Sequence, residues 1–288
     1  MNFEQYLKTT AQSIDQEVER VLAEFLNEVK KTNIKLTPFA LGLINSCKGG
    51  KRIRGTLCKL GFELANSKFV LPKAVWKTIR NSKLEIIKVG TAFEILHAAL
   101  LIHDDIIDES PTRRDQPSLY QSLGGNHYGI SQAISVGDIG FYLPIKIITE
   151  TNFLDEYKIK ALNHLSQTII NTGWGQILDV EGSEDTKFSH LYKTAKYTIA
   201  GPLILGAILG GTEEELVRVL GEFGDDAGIA FQIQDDILDG EEKAVDSAKA
   251  KALKYALAAK KVIPRITANS KMRKILEGMT EYMVERSK

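Results

Sequence analysis

Two acidic clusters with the same pattern carry the clearest potential for chemistry in the sequence. Asp104-Asp105-Ile106-Ile107-Asp108 and, 131 positions later, Asp235-Asp236-Ile237-Leu238-Asp239 both have the form Asp-Asp-x-x-Asp. On a helix, the first and last aspartates of each cluster are four residues apart, so their carboxylates share one face and repel each other. A hard cation such as Mg²⁺ relieves this repulsion, because it prefers oxygen ligands. The spacing predicts two metal-binding clusters, with a solvated acidic surface as the alternative.

Basic residues occur where a phosphorylated ligand bound to such metals would need them. The stretch Gly49-Gly50-Lys51-Arg52-Ile53-Arg54 has three cations after a glycine pair, and the pattern puts Lys51 and Arg54 on one helical face. Arg113 and Arg114 follow the first acidic cluster across a proline turn. Such side chains bind phosphate oxygens through charge-assisted hydrogen bonds. The sequence therefore predicts two phosphorylated ligands side by side.

Helices are the elements that would position these residues, because apolar side chains recur at helical spacing along most of the chain. The pattern is clear at Ile14, Val18, Val21, Leu22, Phe25 and Val29. Seven prolines among 288 residues favour long helices. Both acidic clusters follow apolar stretches, so we expect them at helix ends, whereas the pair Asp225-Asp226 is expected in a surface turn or cap. We predict one all-α, bundle-like domain over residues 1–288.

Composition excludes several classes of protein. The 37 Lys and Arg residues balance 37 Asp and Glu residues, so the chain lacks the basic field that nucleic-acid or anionic-membrane binding requires. Cys47 and Cys58 form neither a metal motif nor a disulfide framework, which fits a reducing compartment. The first twenty residues do not suit a secretion signal, and the most apolar run, 199–211, is too short to span a bilayer. We expect a cytoplasmic protein with no nucleic-acid partner and no transmembrane segment.

In their order and spacing, the motifs resemble those of the trans-isoprenyl diphosphate synthases (polyprenyl synthetases), in particular the members that make geranylgeranyl to hexaprenyl diphosphate. The resemblance rests on residues 49–54, 94–97, 101–108, 113–114, 193–194 and 231–239. It implies an isoprenoid-synthase helical bundle around a central cavity, usually in a homodimer. It also implies a prenyltransferase of isoprenoid biosynthesis that condenses isopentenyl diphosphate with an allylic diphosphate by ionisation, condensation and elimination.

The resemblance also implies a role for each matching residue. About three Mg²⁺ ions would be bound per active site by Asp104, Asp108 and Asp235, with help from Asp105, Asp236 and Asp239 directly or through water. The diphosphate of isopentenyl diphosphate would be held by Lys51, Arg54, His97 and Arg114. The allylic diphosphate would contact Arg113, Lys193 and Gln232. Dipoles of Thr194, of the Lys193 backbone and of the Gln232 side chain would shelter the carbocation, and the released diphosphate would take the proton.

The helix before Asp104 is expected to form a wall of the tunnel that holds the growing chain. In the family, a bulky aromatic residue five positions before the first aspartate stops growth early, and here that position is Ala99, beside Leu100. Leu96 and Phe93 lie deeper, on related turns. We predict a product of about C20 to C30, because Ala99 leaves the first turn open and Phe93 closes a later one.

The sequence departs from the family pattern at three places. Asp115 stands where a glycine usually follows the arginine pair, and Gly55 stands where a proline usually closes the basic motif. After Asp239, the family's loop with glycine and lysine is nearly absent. The lysine that often caps the allylic diphosphate therefore has no clear equivalent, and Lys243 and Lys249 are the candidates.

Other functions stay open at this point. The shortened loop is compatible with a non-catalytic regulatory subunit of such a synthase, although the two complete acidic clusters argue against it. A terpene cyclase or a head-to-head condensing enzyme would use similar metal motifs, but cyclases usually lack the basic site that contains Lys51 and Arg54. A metal-buffering helical protein would leave the paired basic sites unexplained.

Overall fold

The structure, a computed structural model, describes residues 1–67, 73–182, 190–240 and 244–286, without the side chains of residues 73–83, 190 and 193. Its helices are α1 (Phe3–Thr32), α2 (Thr37–Ser46), α3 (Ile53–Asn66), α4 (Lys73–Ile107), α5 (Leu119–Ser122), α6 (His127–Thr149), α7 (Asp155–Val180), α8 (His190–Ala200), α9 (Gly201–Leu209), α10 (Glu214–Asp239), α11 (Val245–Ile266) and α12 (Ser270–Glu285). Helix α8 is wound as a π-helix, and a 3₁₀ turn (Ile34–Leu36) separates α1 from α2.

In the described ranges, the strands are limited to one hairpin of two strands, each two residues long. Strand β1 (Thr112–Arg113) pairs antiparallel with β2 (Gln116–Pro117), so that Arg113 lies opposite Gln116. The predicted all-α fold class is therefore confirmed.

The chain divides into two compact units. Unit 1 contains residues 1–11, 56–86 and 152–288, and unit 2 contains residues 12–55 and 87–151. The basic motif, the first acidic cluster and the arginine pair belong to unit 2. Helix α8 and the second acidic cluster belong to unit 1. That the whole chain is one functional domain stays a prediction.

In unit 1, α10 packs against α8, α9, α11 and α12. Two acidic residues, Glu214 and Glu215, stabilise its positive N-terminal end, and Gly240, with a φ of 80°, ends it in the left-handed region. A Cβ on Gly228 would lie 2.5 Å from Cα of Ala195 in α8. The glycine therefore lets α8 lie directly on α10, one turn before Gln232.

Within unit 1, residues 56–66 of α3 make a close crossing with α9, which depends on one glycine from each helix. A Cβ on Gly61 would overlap the carbonyl oxygen of Leu203, and a Cβ on Gly206 would overlap the carbonyl oxygen of Cys58. The two backbones are thus in direct contact, because neither glycine has a side chain to separate them.

In unit 2, α6 packs against α2 and α5. It begins after Asn126, whose side chain accepts a hydrogen bond of 3.1 Å from the N–H of Gly129. A Cβ on Gly140 of α6 would lie 2.7 Å from Cβ of Ala99, so α4 and α6 approach closely at this point. Close packing on α6 thus fixes the segment of α4 that leads to the first acidic cluster.

One stretch of α4, Leu84–Ile107, is long and apolar enough to cross a membrane by length and composition. The sequence pointed instead to the shorter run 199–211, which here lies partly in α9. In the most apolar window of Leu84–Ile107, 72% is buried inside the protein. Core helices meet the same criteria, so the stretch is weak evidence for a membrane span.

Candidate active site

The first acidic cluster lies where α4 ends. The helix stops at Ile107, and the N–H of Asp108 still donates to the carbonyl oxygen of Asp104 at 2.9 Å. Glu109 then turns the chain with a φ of 51°. Asp104 and Asp108 therefore stay one turn apart, as the spacing predicts, although the helix ends inside the motif.

The middle aspartate of this cluster, Asp105, forms an ion pair with Arg113 of the hairpin. Nε of Arg113 lies 2.6 Å from Oδ1 of Asp105, and its terminal nitrogen lies 4.0 Å from Oδ2 of Asp104. Burial raises the pKa of Asp105, and the bond to Arg113 opposes that shift. The arginine that the resemblance assigns to the allylic diphosphate is thus held on the acidic cluster by a buried carboxylate.

The basic motif is a turn rather than the start of a helix. Gly49, Gly50 and Arg52 have φ angles of 72°, 94° and 55°, all in the left-handed region. Helix α3 begins only at Ile53. The prediction that Lys51 and Arg54 share one helical face is therefore wrong, because Lys51 belongs to the left-handed turn. Lys51 is exposed and Arg54 is half-buried.

A buried network that the sequence analysis missed fixes this turn. Arg52 donates to Oδ1 of Asp15 at 2.6 Å and to the carbonyl oxygen of Cys47 at 2.9 Å, and it lies 3.7 Å from Glu94. Glu94 also accepts the N–H of Gly55 at 2.8 Å. The charges of Arg52 and Glu94 are compensated inside the protein, which orders the turn between the flanking cations. Arg52 and Glu94 both lie inside motifs that carry the family resemblance, 49–54 and 94–97, and this was the sequence feature that could have indicated the network.

His97 lies on α4 in a strongly cationic environment. Burial, followed by the charges of Arg54, Arg114, Arg113 and Arg52, lowers the pKa of His97 well below its ordinary value. The imidazole is therefore neutral at pH 7 and adds no charge to the arginines around it. The structure thus brings together His97, Arg54 and Arg114 of the predicted diphosphate site.

Arg114 is held against the basic turn. Its guanidinium donates to the carbonyl oxygen of Lys48. A Cβ on Gly49 or Gly50 would lie 3.5 or 3.6 Å from its terminal nitrogens, so the glycine pair leaves room for the guanidinium. Burial and the nearby charges of Arg52 and Arg113 lower the pKa of Arg114. Positive charge is concentrated here, which favours an anionic ligand.

A cavity of about 630 Å³ lies within unit 2, next to the buried ion pair of Asp105 and Arg113. Its polar lining includes Lys48, Arg114, Gln116 and Ser118, and its apolar lining includes Ala98, Leu101, Ile102 and Leu119. The cavity therefore combines cations with hydrocarbon walls, a combination that suits an amphiphilic anion.

The four residues predicted to set product length lie at different angles around α4. At 100° per residue, Phe93 and Leu100 fall within about 40° of Asp104, Leu96 about 80° away and Ala99 about 140° away. Phe93, Leu96 and Ala99 are almost completely buried. Ala99 packs against Gly140 of α6, so its small size serves the packing of these two helices. That Ala99 also leaves the first turn of the product tunnel open stays a prediction.

In unit 1, Gln232 is oriented by the second acidic cluster. Its amide nitrogen donates to Oδ1 of Asp236 at 2.6 Å. Because a carboxylate only accepts hydrogen bonds, the amide oxygen must face the other way. Asp235 and Asp239 lie one turn apart on α10, and Asp239 is its last residue.

The remaining residues with predicted roles in unit 1 lie on α8. Thr194 is partly buried there, next to the Ala195 contact with α10, whereas the side chain of Lys193 lies outside the described residues. Lys196 lies 3.0 Å from Asp225. The pair Asp225-Asp226 is therefore in the middle of α10, and its predicted place in a surface turn or cap is wrong. Lys243, a candidate cap for the diphosphate, also lies outside the described residues, and Lys249 is an exposed residue of α11.

Arg286, just after α12, contacts the second acidic cluster, and no pattern in the sequence indicates this contact. Its guanidinium forms an ion pair with Oδ1 of Asp235 and donates to the carbonyl oxygen of Phe231 at 3.1 Å. It also lies 3.7 Å from the centre of the Phe231 ring. Its own carbonyl oxygen accepts from Gln234 at 3.3 Å. A residue 51 positions from Asp235 shares no local pattern with it.

The acidic clusters fit Mg²⁺ by the chemistry of their donors. Among the described residues, no group of three or more His, Cys, Asp or Glu side chains is arranged as a metal cage. Mg²⁺ does not require one, because it usually binds one or two carboxylates and completes its octahedron with water and substrate phosphates. Carboxylate pairs one helical turn apart, such as Asp104 with Asp108, provide such a partial set.

Residues 42–280 match the family described as polyprenyl synthetase. The chain belongs to this family. It is 32% identical over 203 residues to a geranylfarnesyl diphosphate synthase of Natronomonas pharaonis, covering 66% of this chain and 57% of that protein. It is 29% identical over 253 residues to the chloroplastic geranylgeranyl pyrophosphate synthase 12 of Arabidopsis thaliana, covering 82% of this chain and 64% of that protein. The chain thus spans less than two thirds of the length of these polyprenyl synthetase relatives.

The fold of this polyprenyl synthetase is shared with solved structures. It superposes with a TM-score of 0.81 on a geranylgeranyl pyrophosphate synthase from Corynebacterium glutamicum, solved in complex with isoprenyl diphosphate and magnesium. The match covers 100% of both chains at 18% identity. The isoprenoid-synthase fold that the resemblance implied is therefore confirmed.

Proposed function

We propose that this chain is a magnesium-dependent prenyltransferase that condenses isopentenyl diphosphate with an allylic diphosphate. The observation that carries the proposal is the cavity of unit 2 that Lys48, Arg113 and Arg114 line beside Asp105 of the first acidic cluster. Such a concentration of positive charge favours a polyanion. Membership of the polyprenyl synthetase family makes isoprenyl diphosphates the natural choice.

In this proposal, Lys51, Arg54, His97 and Arg114 bind the diphosphate of isopentenyl diphosphate. A neutral imidazole supplies one N–H donor without adding a charge, and the arginines supply the positive charge. The contact of Arg114 with the carbonyl oxygen of Lys48 supports this role, because it orients the guanidinium before a ligand arrives.

The second substrate, the allylic diphosphate, has to lose its diphosphate as an anion. Asp104, Asp108 and Asp235, assisted by Asp105, Asp236 and Asp239, would hold Mg²⁺, which neutralises the charge on that leaving group when bound. The C–O bond then breaks, the double bond of isopentenyl diphosphate supplies the electrons of the new C–C bond, and a proton leaves to the released diphosphate. The amide oxygen of Gln232, turned away from Asp236, and the dipole of Thr194 would stabilise the carbocation.

We further propose a trans-polyprenyl product of about C20 to C30, because hydrocarbon side chains of α4 continue behind Asp104 for several turns. Leu100, Leu96 and Phe93 would limit its length. A homodimer and a cytoplasmic location stay predictions from the sequence.

The test is the incubation of purified protein with Mg²⁺, labelled isopentenyl diphosphate and each of the primers dimethylallyl, geranyl, farnesyl and geranylgeranyl diphosphate, followed by sizing of the products. We expect incorporation into chains longer than C15. Asp104→Asn should abolish it, and Asp138→Asn, an exposed aspartate of the same unit, should not. If no primer supports incorporation, the catalytic proposal fails and the regulatory-subunit alternative gains support.

A further inference from the structure

The contacts of Arg286 on α10 form a built site rather than a surface ion pair. The Arg286 side chain is only 6% exposed, and that of Asp235 is 36% exposed. The aromatic ring and the carbonyl oxygen of Phe231 hold the guanidinium independently of the carboxylate. The contact with Gln234 fixes the Arg286 backbone as well. The positive charge is therefore anchored beside Asp235 by three further contacts on α10.

We propose that Arg286 is a resident cation of the second acidic cluster and competes with Mg²⁺ for the carboxylate of Asp235. The competition keeps metal binding at this cluster weak until a diphosphate is present. The inference rests on the proposed function, which assigns Mg²⁺ to Asp235.

Charge supports this competition. The three aspartates of the cluster carry three negative charges, and one arginine reduces this net charge by one. A metal ion on Asp235 would lie a few ångströms from the guanidinium, where like charges repel appreciably at a partly buried site. A diphosphate adds negative charge and offsets this repulsion.

A second contact in the cluster does not have this effect. Gln232, which contacts Asp236, is neutral. In the first cluster, Arg113 on Asp105 is a second case of an arginine paired with an aspartate of the motif, but Asp105 is itself almost fully buried. Asp235 is the more accessible of the two carboxylates, so the competition should be measurable there.

The experiment measures Mn²⁺ binding to the full chain by electron paramagnetic resonance, with and without inorganic pyrophosphate. Arg286→Gln should bind Mn²⁺ about fivefold more tightly than the wild type without pyrophosphate, as expected for loss of a partly exposed charge pair. With pyrophosphate, the two proteins should agree within about twofold. Arg286→Lys keeps the charge and should resemble the wild type.

Arg273→Gln is the matched control. Arg273 lies in α12 and is half-buried, and its side chain donates to the carbonyl oxygen of Thr267 rather than to an acidic cluster. It should leave Mn²⁺ binding unchanged. Equal tightening in Arg273→Gln, or no tightening in Arg286→Gln, overturns the inference alone. If neither the wild type nor Arg286→Gln binds Mn²⁺ under any condition, the metal assignment of the proposed function fails as well.

Discussion

The carboxylate of Glu94 accepts a hydrogen bond of 2.8 Å from the backbone N–H of Gly55, in the first turn of α3. A Cβ at residue 55 would lie 2.9 Å from the carbonyl oxygen of Gly90 and 2.7 Å from Cδ1 of Ile14. The family's usual proline would therefore collide with α4 and lose this hydrogen bond. The departure from the family pattern has a structural reason.

Gly55→Pro should lower the free energy of unfolding by about 3 kcal/mol, because it adds a clash and leaves a buried acceptor without its donor. Urea denaturation measures this change. The control is Gly173→Ala in α7, where a Cβ meets nothing within 4 Å, and which should be neutral or stabilising. Equal effects of the two substitutions would contradict the packing argument.

His97 should make stability depend on pH. Its pKa in the folded protein lies below the value of about 6.5 in the unfolded chain, so below that pH the unfolded chain binds a proton that the folded protein does not. Stability is therefore full above about pH 6.5 and falls as the pH is lowered. Between pH 7.5 and 5.5, the wild type should lose about 1 kcal/mol more than His97→Asn in urea denaturation. Parallel pH profiles would show that His97 is not held neutral.

Ala99 and Leu100 should respond differently to enlargement. Ala99→Phe forces a ring between α4 and Gly140, so it should lower stability by about 1 to 3 kcal/mol through overpacking. Leu100 lies within about 40° of Asp104 around α4. Leu100→Phe should therefore shorten the product, while the melting temperature changes little. Product sizing and thermal melts of both variants check this. Ala99→Phe with shortened products and an unchanged melting temperature would show that residue 99 faces the product instead.

Gln232→Leu should reduce kcat about 100-fold, because it removes an oriented dipole at the proposed carbocation. The KM for isopentenyl diphosphate should change little, since its proposed ligands lie elsewhere in the sequence. Steady-state kinetics with both substrates measure the two constants. Gln167→Leu, an exposed glutamine of α7 that donates to Asn171, is the control and should behave as the wild type. A change in KM alone would place Gln232 in substrate binding.

Local patterns in the sequence predict the helices and the spacing of the acidic clusters, because helical periodicity is a short-range property. Asp104 and Asp108 lie one turn apart for this reason. The failures have two causes. The spacing of Lys51 and Arg54 predicts one helical face, because residues three positions apart are neighbours on a helix. The left-handed φ angles of Gly49, Gly50 and Arg52 instead make this stretch a turn, and spacing alone does not reveal those angles. Arg286 was missed because its contact with Asp235 exists only after α12 has packed against α10, and no spacing along the chain encodes it.

The crossing of α3 and α9 affects how unit 1 can open. Where Gly61 and Gly206 bring two backbones into contact, no side chains lie between the helices that could rearrange to allow a gradual separation. Partial opening would expose backbone and break many contacts for little gain in chain entropy, so the two helices must separate in one cooperative step. The amides of this crossing should therefore be among the slowest in the protein to exchange with deuterium, at a rate set by global unfolding.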